Sequence, residues 1–368
     1  MGNQDGKYPF VSPADLGAHK LINSSIKSLS SQGMEKARSV RAGATLFTCI
    51  GSTIGKIGLA GCTLATNQQI NVVIPKPDYD DDYVYYQLEL RAAYIAKLAG
   101  TQAVPIINKT TFESQCILVP DSLPEQNKIA KILSTWDKAI STTEQLLANS
   151  QQQKKSLMQQ LLTGKKRLLD NNGVGFSGEW KSYHLSHVTV IVMGSSPKSE
   201  AYNENGVGLP LLQGNADIKN RISAPRVFTS EITKECEIGD ILLSVRAPVG
   251  TVAISEHKAC IGRGIAALHA KPNFDQSFIY QFLLWFEPKW GSLSQGSTFE
   301  SINSDDIKNL KIKVPNFGEQ QKIAAVLTTA DQEITTLQQK LDALKQEKQA
   351  LMQQLLTGKR RVKVEEAA

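Results

Sequence analysis

Few stretches of this chain combine the residue types and the spacing that catalysis needs. The acidic run Asp80–Asp82 could offer carboxylates to a cation, but its position just after a turn signal favours a solvated turn. The glycine-rich segment Gly51–Gly58 is only loosely similar to a phosphate-binding loop, and its β-rich surroundings favour a turn. The sequence contains no GxxxxGK(S/T) loop, no N/D-P-P-Y/F methyltransferase motif and no paired nuclease carboxylates followed by a lysine. We therefore predict no catalytic site in this chain.

The five histidines also fail to form a metal-binding pattern. His184 and His187 are only three positions apart, but the strand predicted around them would place their side chains on opposite faces. His19, His257 and His269 have no metal-ligand spacing either. The sequence therefore predicts no metal site.

Length and composition indicate a protein of about two domains. The chain has 368 residues, 41% of them hydrophobic, and its net charge of +6 is too small to identify a nucleic-acid partner by itself. The five cysteines form no CxxC pair, which favours reduced thiols over zinc or disulfides. No apolar run is long enough for a membrane span, and the first residues lack the features of a signal peptide. We expect a cytoplasmic protein without a membrane partner.

An internal repeat marks the elements that must position any functional residues. PEQNKIAKILSTWDKAI (Pro124–Ile140) returns as GEQQKIAAVLTTADQEI (Gly318–Ile334), and KSLMQQLLTGKKRL (Lys155–Leu168) returns as QALMQQLLTGKRRV (Gln349–Val362). Both pairs lie 194 positions apart, so the two copies have the same length. A repeated unit of fixed length predicts a rigid spacer.

Each copy carries an apolar stripe with heptad spacing, which predicts a long helix in a coiled coil. Thr143, Ser150 and Lys154 interrupt the first stripe, and Lys348 interrupts the second. The predicted coiled-coil residues are Ile129, Leu133, Trp136, Ile140, Leu147, Leu157, Leu161, Ile323, Leu327, Ile334, Leu337, Leu341, Leu344, Leu351 and Leu355.

Glycines mark both helix ends. Gly164 and Gly358 suit the left-handed conformation that closes a helix, and basic residues follow each of them. At about 1.5 Å per residue, a helix of roughly 38 residues spans on the order of 57 Å. Equal lengths and matched polar gaps at Lys154 and Lys348 favour pairing of the two helices with each other. Because each helix follows a globular domain, we predict an intramolecular antiparallel coiled coil.

The segments before the two helices carry the same order of motifs, which indicates an internal duplication with an α+β fold. GATLFTCIGSTIGKIGL (Gly43–Leu59) matches GDILLSVRAPVGTVAI (Gly239–Ile254), and the predicted last strand CILVP (Cys116–Pro120) matches IKVP (Ile312–Pro315). A helix predicted in the first segment stops at Gly100. The predicted limits are 1–122 for the first mixed α/β domain, 123–168 for the central helix, 169–316 for the second mixed α/β domain, 317–362 for the distal helix and 363–368 for a tail.

Together, these motifs resemble those of the DNA specificity subunit of type I restriction-modification enzymes. The resemblance covers essentially the whole chain and is carried by the two E-Q-x-K-I-A segments, both LMQQLLTGK(K/R)R segments and the G-(D/A)-x-L segments inside the domains. It implies two target recognition domains separated by two long helices, each domain reading one half of a bipartite sequence in double-stranded DNA. It also implies two methyltransferase subunits, which bring S-adenosylmethionine, and restriction subunits, which bring ATP and magnesium, with no cofactor on this chain.

Under this resemblance, the candidate functional residues are polar side chains in loops that match base edges or donate to phosphates. The first domain offers Ser52, Thr53, Lys56, Gln68, Gln69, Thr101 and Gln102, and the second offers Gln213, Asn215, Arg221, Arg246, Arg263, Ser297 and Thr298. Gln68 and Gln69 occupy nearly the place of Arg263, which predicts that the domains read different bases, because glutamine suits adenine and arginine suits guanine. For each residue the plainer interpretation is a solvated loop position.

The first domain is expected to be shortened. The second domain has residues 178–207 before the point that matches Lys7, and these include Trp180 and the GSSPKS segment Gly194–Ser199. The first domain would then be truncated, begin at an unusual start codon, or be completed by another chain.

Two other functions remain open for the sequence alone. One is a fused methyltransferase or nuclease chain, against which the missing motifs count. The other is a coiled-coil adaptor whose domains bind protein.

Overall fold

The computed structural model describes residues 6–100, 103–293 and 301–364. The chain divides into two compact units, one made of Met1–Gln145 with Gln338–Ala368 and the other of Leu146–Leu337. Each unit contains one globular part and a portion of both long helices, so the unit limits fall inside the helices. The predicted domain limits stay predictions.

The described part of the first unit contains eight short strands, all of which precede its longer helices. Its strands are β1 (Tyr8–Val11), β2 (Leu21–Ile22), β3 (Lys27–Leu29), β4 (Ser39–Val40), β5 (Thr45–Thr48), β6 (Ile57–Ala60), β7 (Leu64–Thr66) and β8 (Ile70–Val73). Its helices are α1 (Ser31–Lys36), α2 (Asp81–Ala96), α3 (Lys109–Glu113) and the start of α4 (Leu123–Leu161). The strands form two sheets, with the orders β3-β1-β7-β4 and β2-β6-β5-β8.

The core of the first unit lies between β5 and α2. The side chain of Asp80 accepts a hydrogen bond from Tyr83 N at 2.7 Å and caps the start of α2. Tyr83 and Tyr86 are buried in the same core as Phe47 of β5. Helix α2 ends at Ala96 instead of the predicted Gly100, because the next N–H groups bond three residues back in turns.

The second unit has the same kinds of element in the same order, with additions. Its strands are β9 (Lys181–His184), β10 (Thr189–Met193), β11 (Tyr202–Asn203), β12 (Leu209–Leu212), β13 (Ile218–Lys219), β14 (Ile222–Ser223), β15 (Val227–Thr229), β16 (Glu235–Cys236), β17 (Ile241–Ser244), β18 (Val252–Ile254), β19 (Ala259–Ile261), β20 (Ile265–Ala270) and β21 (Lys311–Val314). Its helices are α5 (Leu185–Val188), α6 (Gln276–Phe286), α7 (Trp290–Leu293), α8 (Ser304–Lys308) and the start of α9 (Phe317–Leu355).

Sheet order confirms the duplication. The second unit has sheets ordered β11-β15-β12-β19-β16, β10-β20-β17-β18-β14-β13 and β21-β9. The run β15-β12-β19-β16 matches β3-β1-β7-β4, and β20-β17-β18-β14 matches β8-β5-β6-β2. Strands β9, β10, β11 and β13 have no counterpart in the described part of the first unit.

The prediction that CILVP forms a last strand in the first unit is wrong. Residues 115–120 lie outside any strand, whereas the matching β21 pairs with β9 over four residues. A strand needs a neighbour to bond its backbone, and the described residues of the first unit supply none at this place.

The two long helices have the predicted equal length. Helices α4 and α9 each contain 39 residues, and all fifteen predicted stripe residues are buried or half-buried. Gly164 and Gly358, with φ of +70° and +73°, adopt the predicted left-handed conformation just past the helix ends.

Contacts within each unit confirm that the helices run antiparallel as a coiled coil. In the first unit, Glu144 lies 2.8 Å from Lys345 and Asp137 lies 2.6 Å from Lys348. In the second, Ser150 Oγ donates to Glu333 at 3.0 Å, and Lys154 pairs with Asp331. From one pair to the next, the residue number rises along α4 and falls along α9, as antiparallel helices require.

The lysines that interrupt the stripes are paired and nearly buried. Lys154 and Lys348 are each 12% exposed, and Lys348 also lies 2.9 Å from Glu89 of α2. Burial alone would lower the pKa of Lys348, but Glu89 and Asp137 together outweigh that effect and raise it, so the lysine stays charged. A lysine at a stripe position that is held by a carboxylate of the other helix favours one register over all others.

The predicted pairing implied that the stripe ends pack only on each other. In the structure they also pack on the globular domains. Ile129 and Leu133 of α4 join Met352 and Leu355 of α9 in the core that contains α2. In the second unit, Met158, Leu161 and Leu162 join Ile323 and Leu327 in the core that contains α6. Each globular core therefore includes the beginning of one long helix and the end of the other.

A buried glutamate near the start of each long helix binds an arginine just past the end of the other. Arg361 donates from Nε and Nη2 to the two carboxylate oxygens of Glu125 at 2.7 and 2.6 Å, and Arg167 binds Glu319 in the same way at 2.6 and 2.7 Å. The glutamate side chains are 4% and 0% exposed. A carboxylate removed from water needs such a two-point partner, which the planar guanidinium provides.

The glutamine that follows each glutamate ties the helix to its own globular part. Oε1 of Gln126 accepts from Asp80 N at 3.0 Å, and Oε1 of Gln320 accepts from Asp275 N at 2.9 Å. Asp80 and Asp275 are the N-caps of α2 and α6. The repeated Glu-Gln pair thus fixes the start of each long helix against both the other helix and the domain.

None of the helices in the described ranges is both long and apolar enough to cross a bilayer.

Replacing Arg167 with alanine is expected to lower the free energy of unfolding by about 3 kcal/mol, because the buried Glu319 carboxylate loses its partner. The exposed neighbour offers a matched control, Lys166→Ala, which should change it by less than about 0.5 kcal/mol. Urea unfolding followed by circular dichroism measures both. Equal stability of the two variants would contradict the partnership.

Acid should weaken the corresponding contact in the first unit. Hydrogen bonds from Arg361 are the largest cause holding the pKa of Glu125 below its ordinary 4.5, against the opposing effect of burial. Because folding lowers this pKa, the stabilisation is complete above pH 4.5 and is lost as the pH falls below it. A Glu125→Gln variant should therefore lose less stability than the wild type between about pH 5 and pH 3, measured by urea unfolding at each pH. Parallel curves for the two proteins would argue against this origin.

Candidate nucleic-acid interface

In the second unit, loops that carry predicted DNA-binding residues meet where β10, β12, β17 and β19 end. Backbone hydrogen bonds of 2.8 to 2.9 Å join the segments after these strands: Gly262 N to Leu212 O, Ser195 N to Ile261 O, and Val245 N to Gly264 O. We call residues 194–196, 213–217, 245–247 and 262–264 the second loop cluster.

Glycines allow these loops to approach closely. A Cβ added at Gly264 would lie 2.2 Å from Gln213 O, and one at Gly194 would lie 2.1 Å from Gly262 O. No side chain fits at either position, so backbone packing itself brings Gln213 and Arg263 into the same cluster.

Gln213 and Arg263 are both exposed on this cluster. Ser196 Oγ accepts from Arg263 N at 3.2 Å and from its Nε at 3.4 Å, which directs the base of the guanidinium. A guanidinium can donate two parallel hydrogen bonds to guanine, and a carboxamide can make two with adenine. Both side chains have the hydrogen-bonding groups that such contacts require, and a base contact by either stays a prediction.

Asp217 organises the loop that carries Gln213 and Asn215. Its carboxylate is 4% exposed and accepts from Gln213 N at 2.8 Å, Gly214 N at 3.3 Å and Arg226 Nε at 2.9 Å. Asn215 is half-buried, and its Oδ1 finds no hydrogen-bond partner within the residues that the structure describes. The predicted Asn215 thus lies in the cluster, with an acceptor atom turned inward.

Arg246 lies at the edge of the same cluster. It is exposed, and its backbone pairs with that of Ser301, the first described residue after residue 293. The predicted residues Ser297 and Thr298 lie outside the described residues. A base contact by Arg246 stays a prediction.

Arg221 is not brought into the cluster by any described contact. It occupies the turn between β13 and β14 with φ of +66°, and its Nη1 donates to Glu287 at 2.5 Å and to Val252 O at 3.1 Å. Its predicted DNA contact is untested, but its guanidinium already binds a carboxylate.

The first unit has an equivalent arrangement, which we call the first loop cluster (residues 49–56, 67–69 and 105–107). Cys49 N donates to Gln69 O at 2.8 Å, and Gly51 N donates to Pro105 O at 3.0 Å. Ser52 is exposed and Thr53 half-buried on the turn between β5 and β6, and Gln68 is exposed on the neighbouring loop. These three predicted residues are therefore brought together.

Gln69 and Lys56 are engaged inside the protein. Gln69 Oε1 accepts from Asn67 at 2.9 Å and its Nε2 donates to Ile50 O at 3.4 Å, so the side chain supports the cluster. Lys56 is half-buried with Nζ 3.5 Å from Pro13 O. The predicted residues Thr101 and Gln102 lie outside the described residues.

The acidic run has structural partners. Asp80 caps α2, Asp81 accepts from Arg41 at 2.6 and 2.7 Å, and Asp82 pairs with Lys20. Burial is the largest effect on the pKa of Asp80 and raises it. These contacts place the run in helix capping and ion pairing.

No group of three or more histidine, cysteine, aspartate or glutamate side chains that could hold a metal occurs in the described ranges. His184 ends β9, whereas His187 lies in α5 and stacks on Tyr183 at 4.8 Å, so the strand geometry expected for the two histidines is wrong.

Sequence reasoning missed three residues of the second loop cluster and its support. Ser196 positions Arg263, Asp217 organises the Gln213 loop, and Arg226 adds an exposed charge bound to Asp217. Ser196 belongs to the GSSPKS segment, whose one sequence signal is that it has no match in the first repeat. Nothing in the sequence around Asp217 indicates that it is buried.

Comparison with known proteins defines the class. The family model of the type I restriction modification DNA specificity domain matches residues 2–152 and 177–346, one match for each repeat. The chain belongs to this family and is a DNA specificity subunit of the type I restriction-modification kind.

Two relatives from Methanocaldococcus jannaschii carry matching names. One, a candidate type I restriction enzyme MjaX specificity subunit, is 33% identical over 87% of this chain and 79% of its own length. The other, the type I restriction enzyme MjaVIII specificity subunit, is 25% identical over 84% of this chain and 76% of its own length.

Solved structures have the same fold. The S subunit of a type I restriction-modification system from M. genitalium matches with a TM-score of 0.63 and 18% identity, over 95% of this chain and 92% of its own. A chain from a structural study of complex assembly and conformational transition in a type I system matches with a TM-score of 0.60 and 24% identity, over 95% and 91%.

Proposed function

We propose that each globular domain of this chain reads one half of a bipartite DNA sequence for a type I restriction-modification complex. Family membership across both repeats supports this function. The observation that supports the reading surface is the second loop cluster, where Gln213 and Arg263 are exposed on loops whose backbones pack too closely to admit a side chain at Gly194 or Gly264. Ser52, Thr53 and Gln68 provide the corresponding surface in the first unit.

The long helices set the spacing between the half-sites in this proposal and bind the methyltransferase subunits. Their equal lengths of 39 residues and the lysine–aspartate pairs between them support a spacer of constant length. Lys165, Lys166, Lys359 and Arg360 are exposed beyond the helix ends and are available to partners, whereas Arg167 and Arg361 are bound to the internal glutamates.

Catalysis belongs to the partner subunits in this proposal. Two methyltransferase subunits would supply S-adenosylmethionine and restriction subunits would supply ATP and magnesium, while this chain contributes recognition and no chemistry of its own. Access to cellular DNA favours a cytoplasmic location. The resemblance and the lack of catalytic motifs in the sequence support this division of labour.

Methylation of a random duplex library tests the reading residues. Together with its methyltransferase subunits, the chain should modify one bipartite sequence, and Arg263→Ala should relax one base pair of one half-site by about 10- to 100-fold, because a two-point arginine contact contributes about 1–3 kcal/mol. Gln68→Ala should affect only the other half-site. Lys219→Ala, exposed on β13 outside the cluster, is the control. An unchanged recognised sequence in Arg263→Ala would refute the assignment.

Helix length tests the spacer. Inserting one heptad after Thr142 and another after Thr336, near the middle of each helix, adds about 10 Å to both. The recognised half-sites should stay the same while the spacer grows by about three base pairs, at roughly 3.4 Å per pair. A single insertion in α4 breaks the match with α9 and should abolish methylation. A double-insertion variant that methylates at the original spacing would contradict a spacer role.

A further inference from the structure

The edge strands β4 and β16 occupy equivalent places in the two units. β4 ends the sheet order β3-β1-β7-β4, and β16 ends the matching run β15-β12-β19-β16. Each pairs antiparallel with the strand that leads to a predicted reading residue, β7 before Gln68 and β19 before Arg263. Because β7 and β19 run towards the loop clusters, the beginnings of β4 and β16 lie at that end of each sheet.

Arg38 lies where β4 begins, at the loop end of the first sheet. The next residue, Ser39, pairs with Ala65. Arg38 is therefore beside Thr66, which lies two residues before Gln68, and Arg38 and Thr66 line the same cavity. The Arg38 side chain is exposed and forms no hydrogen bond or ion pair within the described ranges. An exposed guanidinium thus borders the first loop cluster.

Lys234 lies at the same place in the second unit. Glu235 pairs with Cys260, and Ile261 N donates to Lys234 O at 2.8 Å. Ile261 lies two residues before Arg263, so the backbone of Lys234 is fixed next to the second loop cluster. Its side chain is exposed and has no hydrogen-bond or ion-pair partner among the residues that the structure describes.

The repeat keeps a positive charge here although the neighbouring positions change. Arg38 lies five residues before Gly43 and Lys234 five residues before Gly239, and both glycines adopt a left-handed φ, +82° and +89°. Directly after the cation, one repeat has serine and the other glutamate, and two residues further on an arginine is matched by a glutamate. The cation is therefore the shared feature of an otherwise altered segment.

A contact to the DNA backbone accounts for a cation shared by domains with different reading residues. Phosphates are alike at every base pair, so a contact to one of them fixes position without carrying sequence information. Base edges differ, and the reading positions carry Gln68 in one repeat and Arg263 in the other. Neighbouring strands lie about 5 Å apart, so each cation is close to the loop that carries the reader.

We propose that Arg38 and Lys234 are phosphate anchors. Each binds one backbone phosphate of the half-site that its own domain reads, and it contributes affinity without base preference. Arginine and lysine both serve, since a single phosphate contact needs a positively charged donor. This inference rests on the proposed function, because the anchors act on the DNA that the loop clusters read.

The salt dependence of DNA binding tests the anchors. The complex of this chain with its methyltransferase subunits is titrated into two labelled duplexes, one with the methylated bipartite sequence and one of unrelated sequence. Affinity is measured by fluorescence anisotropy between about 50 and 200 mM salt. Lys234→Gln and Arg38→Gln should each lower the slope of log affinity against log salt by about 0.9, which is roughly 8-fold weaker binding at 0.1 M for proteins that bind equally at 1 M.

Matched variants separate charge from base preference. Lys234→Arg and Arg38→Lys keep the charge and should keep the wild-type slope. Lys219→Gln and Lys76→Gln are the controls, because these exposed lysines lie on β13 and after β8, away from the loop clusters. Gln68→Ala removes no charge, so it should relax discrimination at one base pair and leave the slope unchanged.

The outcomes distinguish the anchors from the reading function. An unchanged slope in either glutamine variant, in a complex that still methylates its bipartite sequence, would overturn the inference alone. Relaxed discrimination at one base pair in Lys234→Gln would also overturn it, since that marks a base contact. Equal affinity of the wild-type complex for both duplexes would instead refute the proposed reading function, and a slope lowered by Lys234→Gln would then still support a phosphate contact.

Discussion

The architecture depends on two buried carboxylates that must find a guanidinium. Glu125 and Glu319 lie near the starts of the long helices, and the arginines that satisfy them come from beyond the ends of the opposite helices. The pairing is possible only when the helices are antiparallel and of matched length. Because a buried carboxylate without a partner is so unfavourable, each unit selects a single arrangement of the helix ends.

The interactions around these carboxylates explain why the two long helices are so similar in sequence. The glutamine beside each glutamate bonds the N-cap of a domain helix, and the lysine–aspartate pairs lie farther along the same helices. Every one of these positions contacts another repeated position. Among the described residues, the side chains of Gln68 and Arg263 make no contact with a repeated position of the helices, so these two residues can differ without disturbing the helix pairing.

Much of the fold was predictable from periodicity. The heptad stripe, the closing glycines and the matching lengths are local patterns, and they led to the two helices and their antiparallel pairing. The strand predicted at CILVP is wrong because a strand depends on a partner distant in sequence, and the apolar residues alone do not reveal that the described residues of the first unit lack a strand like β9. Periodicity also does not show that the stripe ends pack on the domain cores as well as on the other helix, where Met158 and Met352, next to the stripe, join them. Gln213 and Arg263 were predicted as candidates from residue type, but their common cluster, and Asp217, which shapes the Gln213 loop, become visible only in the structure.

The matched helices also have a consequence for how such a gene can change. The LMQQLLTGK segment occurs twice, and a crossover at either copy with the matching stretch of a related gene would exchange a whole domain. The crossover point would lie in a long helix, and the glutamate, glutamine, lysine and arginine residues that hold the helices together are the same in both copies. A recombined chain would inherit every contact needed to align its helices while it acquires loops with a different specificity. The repeat would therefore let new combinations of domains keep the same helix contacts at the joint.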